Sequence, residues 1–370
     1  MFDLYIALAY IIPNIYLFFR IKHLFIGKTY RYRYTAIFLL LFFMYPITRS
    51  LAHRELSQFL QFLVGISDYI LPFYLYLFLS ILLYDLFLLL NLWINISGKE
   101  IRKTHAYRKY TFSAIIILSI LIVIAGAINL NTIRCSRYFI EIPGRLSSTN
   151  HVRIAFVADI HIKRDTRLRF IQQFIRKINA LNPDIVLYGG DIIEGDGENE
   201  TTIEIENALK QLHPKYGSYG VLGNHEFFRG QQHWIFFQKA GITLLCDTVV
   251  RIDSSFYLGG RYDQRYAGRK SIEEVLSGVK QDLPLVLMDH RPLDLQAVSR
   301  SNVDVQFSGH THDGQLFPIN LITNMVYELS WGYKKIRNTH FFVTSGLRLW
   351  GPQVKTAGKS EIMCVDIQFK

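Results

Sequence analysis

Seven side chains between positions 159 and 312 are of the types that hold divalent cations, and they sit in five short clusters. In chain order the clusters are Asp159-Ile160-His161, Gly190-Asp191, Gly223-Asn224-His225-Glu226, Asp289-His290 and Gly309-His310-Thr311-His312. The candidate ligands are Asp159, His161, Asp191, Asn224, His290, His310 and His312. Carboxylates, imidazoles and one amide, with no cysteine, suit Mn, Fe, Zn or a similar ion rather than a thiolate zinc knot. Singly, an Asp-x-His pair or a Gly-Asp pair is an ordinary turn. Here most clusters directly follow an apolar, strand-like run: Val152–Ala158, Ile185–Tyr188, Tyr219–Leu222, Leu285–Met288 and Val303–Phe307. Open α/β sheets build their sites at the carboxyl ends of strands, so five such loops are expected to converge on one rim.

In this order, D-x-H, GD, GNHE, H and GHxH, the clusters resemble the calcineurin-like metallophosphoesterases over roughly residues 150–370. A closer likeness is to the membrane-anchored subfamily, carried by Asp289-His290-Arg291-Pro292, Ser308-Gly309-His310-Thr311-His312, Gly314-Gln315 and Leu349-Trp350-Gly351-Pro352. Asp313, Arg348 and Gln353 depart from that pattern, and none replaces a ligand. The resemblance implies a two-sheet α/β/β/α sandwich and a pair of divalent ions bridged by Asp191. Asp159, His161 and His312 would complete the first ion's protein shell, and Asn224, His290 and His310 the second's. Such a pair clamps the attacking and leaving oxygens of a displacement at phosphorus and lowers the pKa of a bridging water to give hydroxide. His225 would then point at the phosphate as the catalytic residue, stabilising charge or protonating the leaving oxygen. Glu226 or Asp263 could orient it.

The rest of the chain must place these loops. The 370 residues allow two domains, and half of them are hydrophobic. Residues 1–149 hold 15 Lys and Arg against 6 Asp and Glu, whereas residues 150–370 hold 26 against 24, so most of the net +11 lies in the first part. That part also has four apolar stretches: Leu4–Phe19, Ala36–Ile47, Tyr69–Ile96 and Phe112–Leu130. About four transmembrane helices are expected in residues 1–133, because backbone groups in lipid must be satisfied internally. No basic segment precedes the first stretch and no small-residue cleavage site follows it, which argues against a removed signal peptide. The basicity then reads as an orientation signal rather than a nucleic-acid surface. Residues 20–34 and 97–110 are rich in Lys and Arg. Residues 48–68 carry only Arg49 and Arg54 against Glu55 and Asp68. Four crossings with the basic loops inside give a multi-pass protein of the cell membrane, its catalytic domain on the extracytoplasmic side. Asp85, within the third stretch, reads either as a functional carboxylate or as one hydrogen-bonded to a neighbouring helix, for instance to a tyrosine.

Residues 134–150 read as an interfacial linker with Arg134, Arg137 and Arg145, and residues 151–370 as the metallophosphoesterase domain. Within it, apolar spacing predicts a helix over 166–181, ended by Asn182-Pro183. A second helix is expected over 201–212. The β-α-β-α-β opening implies parallel pairing. Strands are further expected at 248–252, 256–258, 340–344 and 361–367, with a helix near 272–276. Cys135, Cys246 and Cys364 form no metal-type spacing and read as packing residues.

The expected function is a membrane-anchored, dinuclear metal-dependent phosphodiesterase. Alternatives are a pyrophosphatase acting on a lipid-linked or nucleotide-sugar substrate, a non-enzymatic membrane scaffold, and a transporter centred on Asp85. Phe227, Phe228, Trp234, Phe317, Trp331, Tyr333 and Trp350 could floor a site for a lipid-like phosphoester or simply fill the core. Arg261, Arg291 and Arg348 could grip a phosphate or pair with carboxylates. Nucleic acid is not expected, and the sequence names no protein partner.

Overall fold

The structure is a computed structural model that describes residues 2–51, 57–164, 166–194, 199–227 and 233–370; Arg54, Glu55 and Phe228 lie outside them. The chain divides into two compact units. One comprises Met1–Ile128 with Gly351–Thr356, the other Asn129–Trp350 with Ala357–Lys370.

The first unit is helical: α1 (Phe2–Leu24), α2 (Arg31–Leu51), α3 (Gln58–Ile94), the short α4 (Lys99–Lys103) and α5 (His105–Asn131), whose last turn enters the second unit. Among the described residues, two helices rather than about four are long and apolar enough to cross a membrane, Phe59–Ile94 and His105–Asn131. Pro13, Asn14, Arg20 and Lys22 interrupt α1, while α2 opens on Arg31 and Arg33 and contains Pro46. Only 28% and 22% of the apolar windows of α3 and α5 are buried, which suits a lipid surrounding better than a protein core. Asp85 on α3 accepts hydrogen bonds from Tyr16 and, at 2.8 and 2.5 Å, from Nε and Nη2 of Arg20, both on α1. Segment 351–356 seats on α5. A Cβ at Gly126 would lie 2.6 Å from Val354 Cγ1, and Lys355 N donates to the Gly126 carbonyl at 3.1 Å.

The second unit is built on two six-stranded sheets. The first runs β1 (Arg134–Ile142), β12 (Glu361–Phe369), β2 (His151–Val157), β3 (Ile185–Tyr188), β4 (Ser218–Gly220), β5 (Ile242–Leu244). The second runs β10 (Gly332–Ile336), β11 (Thr339–Val343), β9 (Val305–Ser308), β8 (Leu285–Met288), β7 (Phe256–Gly260), β6 (Thr248–Ile252). Residues 134–142, read from sequence as part of a linker, are thus strand β1, paired in parallel with β12 from Arg134–Glu361 to Ile142–Phe369.

Alternation along the strands sorts side chains into layers. Ile154, Phe156, Ile185 and Leu187 of the first sheet meet Phe256, Leu258, Val286, Met288, Val305 and Phe307 of the second in one buried cluster. Ala155, Val157, Val186 and Tyr188 face the other way, onto α6 (Leu168–Leu181), α7 (Glu200–Leu209) and α8 (His233–Lys239). The stripe Phe170, Ile171, Phe174, Ile175, Ile178 fixes α6 on that face, and Asn182 in the left-handed region ends it. Leu285, Leu287 and Phe341 line the outer face of the second sheet beside α9 (Ile272–Val275) and α10 (Leu295–Val298). The last helix is α11 (Ile319–Val326). Cys364 is buried in the first sheet's helix-side core, and Cys135 and Cys246 pack against it as free thiols.

Candidate metal centre

Every candidate ligand follows the carboxyl end of a strand. Asp159 and His161 follow β2, Asp191 follows β3, Asn224 follows β4, His290 follows β8, and His310 and His312 follow β9. The parallel pairs β2–β3–β4 and β8–β9 bring these ends to one rim of each sheet. The packing of the two sheets brings the rims together.

Three groups of potential ligand atoms lie within 4.8 Å of one another: Asp159, His161 and His312; His161, Asp191 and His225; and Asp191, His290 and His310. Asp191 and His161 each belong to two groups, so the cage is continuous, with the Asp191 carboxylate in its middle. His161 Nε2 lies 3.3 Å from His312 Nε2, and His312 Nε2 lies 3.6 Å from Asp159 Oδ1. Across the cage, His290 Nε2 is 3.2 Å from Asp191 Oδ2.

Asn224 Oδ1 is buried with no hydrogen-bond partner, and buried His290 Nε2 has only the Asp191 carboxylate, 3.2 Å away. A buried polar atom left bare costs about 1–3 kcal/mol, so a cation is the expected occupant of the space they face. The tautomer agrees. His290 Nδ1 donates to the Gly189 carbonyl at 2.7 Å, which leaves Nε2 as the nitrogen that faces Asp191 inside the cage. The donor set is thus chemically fit for divalent ions, with no thiolate and with carboxylate, imidazole and amide mixed.

The backbone is held in a costly shape to achieve this. Asp159, His161, Asp191, His310 and His312 all have positive φ, between 49° and 71°. Non-glycine residues avoid that region, and such strain concentrates at functional sites. Gly190, at φ 91°, makes room for the crowding: a Cβ there would lie 2.6 Å from Gly223 N and 2.7 Å from His290 Nδ1.

Charge inside the cage is coupled. Burial pushes the Asp159 carboxyl up to about 6. Burial acts the same way on Asp191, but the adjacent His290 outweighs it and holds that carboxyl far below its usual range. Burial would lower His290, yet Asp191 raises it to about 10. Burial and the neighbouring His290 push His310 down to about 3. In the metal-free form a proton on His290 therefore offsets the carboxylates' charge.

The residues around the cage differ from the sequence reading. Glu226 does not hold His225. Its buried carboxylate accepts from the backbone N–H groups of Asp191, Ile192, Ile193 and Gly223 at 2.6–3.1 Å, tying the Asp191 loop to the Asn224 loop. Asp263 pairs with Arg291 at 2.7 and 3.1 Å. The carboxylate at His225 is Glu194, whose Oε1 lies 2.9 Å from His225 Nδ1 and whose Oε2 lies 3.0 Å from Lys163 Nζ and 3.5 Å from His161 Nδ1. Sequence reasoning missed it, although an acid three residues beyond a ligand was a usable signal. Burial lowers the pKa of His225, but its bond to Glu194 together with the charges of Asp191, Glu194 and Glu226 outweighs this, and the net shift is upward. The arginines are engaged elsewhere. Arg261 and Arg269 pair with buried Asp289, and Arg348 stacks on Phe170 at 4.8 Å. Of the aromatics, Trp350 lies nearest His225, at 6.4 Å between ring centres, and Phe227 joins Tyr262, Tyr266 and Trp234 in one ring cluster.

Residues 152–314 match the family model described as calcineurin-like phosphoesterase. An uncharacterized metallophosphoesterase of Campylobacter jejuni is 24% identical over 381 aligned residues, spanning 100% of this chain and 98% of that protein. A transmembrane protein with metallophosphoesterase domain from Danio rerio is 28% identical over 232 residues, 58% of this chain and 53% of that protein. A UDP-2,3-diacylglucosamine pyrophosphatase, LpxG, of Chlamydia trachomatis is 30% identical over 97 residues, 26% of this chain and 29% of that one.

Proposed function

We propose, from the membership of residues 152–314 in the calcineurin-like phosphoesterases, that this chain is a membrane-anchored, metal-dependent phosphodiesterase. The observation that carries the reading is the ligand cage: Asp191 is shared between two groups of ligand atoms, beside the buried and unpartnered Asn224 Oδ1. Asp159, His161 and His312 would hold one divalent ion, Asn224, His290 and His310 a second, and Asp191 both. When bound, such ions supply Lewis-acid activation of water and neutralise charge on the phosphoryl group.

The chain's own groups do the rest. Glu226 fixes the two loops that present Asp191 and Asn224. His225 is held by Glu194 with its Nε2 on the cage side, 3.9 Å from Asp191 Oδ2, where it can donate a proton to a leaving oxygen. Cleavage of a pyrophosphate is the second reading, favoured by the likeness to the pyrophosphatase over 97 residues.

The basic connection between α3 and α5, with Lys99, Arg102 and Lys103 against Glu100, supports a multi-pass arrangement in the cell membrane. It stays in the cytoplasm under the positive-inside rule, which puts the catalytic unit outside even with two crossings. Membrane-impermeant labelling that leaves that unit untouched in intact cells would sink this orientation.

Chelation should abolish hydrolysis of a chromogenic aryl phosphodiester, Mn²⁺ should restore it, and metal analysis should return about two ions per chain. A metal-free chain with full activity would overturn the reading. Parallel assays of a diester and a nucleoside-diphosphate-linked lipid separate the two substrate classes.

A further inference from the structure

Helix α11 follows the His310–His312 loop and does not look like a helix of a water-soluble domain. None of its residues is buried, and it carries no charge from Phe317 to Tyr327. Met325 is 86% exposed and Val326 69%, with Ile322, Leu321 and Phe317 above half and Ile319 at 41%. Contiguous exposed apolar side chains of this kind mark a surface that is covered in use.

Two observations name the cover. The hairpin that follows, β10–β11, brings exposed Lys335 and Arg337, beside Lys334 paired with Glu328 at 3.1 Å, and the two exposed cations complement anionic headgroups. The second unit's first strand begins at Arg134, while α5, apolar and long enough to cross a bilayer, ends at Asn131. So short a tether holds the local concentration of bilayer surface high.

The same helix is built into the metal centre. A Cβ on Gly314, at the end of the His312 turn, would lie 2.6 Å from Asn320 Cα. At the other end of α11 the Tyr327 ring stands 6.3 Å from the His310 ring, and the Ser330 carbonyl accepts from Thr311 Oγ1. What α11 touches is therefore within a few side chains of the two histidine ligands.

We propose that α11 docks into the interfacial layer of an anionic bilayer and that the adjoining metal centre takes its phosphoester from that layer, as an acyl-tailed lipid. The docking stands on its own; the substrate class rests on the phosphodiesterase reading.

The experiment uses the full chain in phosphatidylcholine–phosphatidylglycerol vesicles, with a photoactivatable diazirine on the lipid tails and a water-borne oxidant in a parallel sample. Lipid adducts on residues 317–326 with Met325 protected from oxidation are expected. Adducts confined to α3 and α5 overturn the docking, and protection of Met325 without adducts assigns the face to a second copy instead. In kinetics, Ile322→Asp with Met325→Asp should lower hydrolysis of an acyl-tailed phosphodiester in vesicles at least about tenfold, with its tail-free analogue unchanged. Equal loss on both, or on neither, overturns the substrate class. If the wild-type chain hydrolyses neither, the phosphodiesterase reading falls while the adduct map still decides the docking.

Discussion

Asp85 in the helical unit and the carboxylates of the candidate metal centre settle their charge in opposite ways. Within the helical unit, Asp85 is met by Tyr16 and by two nitrogens of Arg20, so the carboxylate is matched by a cation from its own chain. In the candidate metal centre, Asp159 and Asp191 stand among histidines, while Asn224 Oδ1 is buried and bare. Closed polar clusters specify packing; open ones wait for something that the polypeptide does not supply. The backbone makes the same distinction. Asp85 lies inside regular α3, whereas five of the cage residues, Asp159, His161, Asp191, His310 and His312, are held at positive φ.

This contrast is broken most directly at Asp191. Asp191→Ala should remove the shared ligand and lower turnover about 10³-fold or more, with metal analysis showing lost ions. Retention of the full metal-stimulated rate would refute the bridge. His225→Ala should keep its metals and lose about 10²-fold in kcat, a split that separates proton transfer from ligation. Glu194→Gln should cost about 10- to 100-fold, mainly by shifting the pH profile governed by His225, and metal content should hold.

A gentler probe is pH. His290, raised to about 10 in the metal-free form, must shed its proton to bind a cation. Cation affinity should therefore rise with pH, and titration calorimetry in buffers of different ionisation heat should record proton release. An affinity independent of pH would count against His290 as a ligand. The smallest effect is expected at the closed cluster. Asp85→Asn should leave hydrolysis of a soluble diester unchanged and cost the helical unit about 1–2 kcal/mol, between the values of exposed and buried pairs. A lost activity there would move function into the helices.

The clustering of these side chains was legible because each cluster interrupts a strand-like run with residues that have no packing use there. Asp159, Asp191, Asn224, His290 and His310 could be picked out before any coordinates. The α6 stripe was legible for the same reason: period 3.6 is written into Phe170, Phe174 and Ile178. Strand β1 was not, because its partner β12 lies more than 200 residues later and Arg134, Arg137 and Arg145 read as surface chemistry. Nor were all the carboxylate roles. Glu226, Asp263 and Glu194 are acids near one imidazole in sequence, and nothing local says which one faces it.

The sequence by itself determined which residue types were on offer and that they stand at strand ends, because composition and period are local properties. Only the tertiary structure decided who meets whom: Glu194 with His225, Arg291 with Asp263, Asp85 with Arg20, and α11 with water rather than core. Those pairings depend on how strands from distant parts of the chain are laid side by side, and contacts made at such separations leave no pattern in any short window of residues.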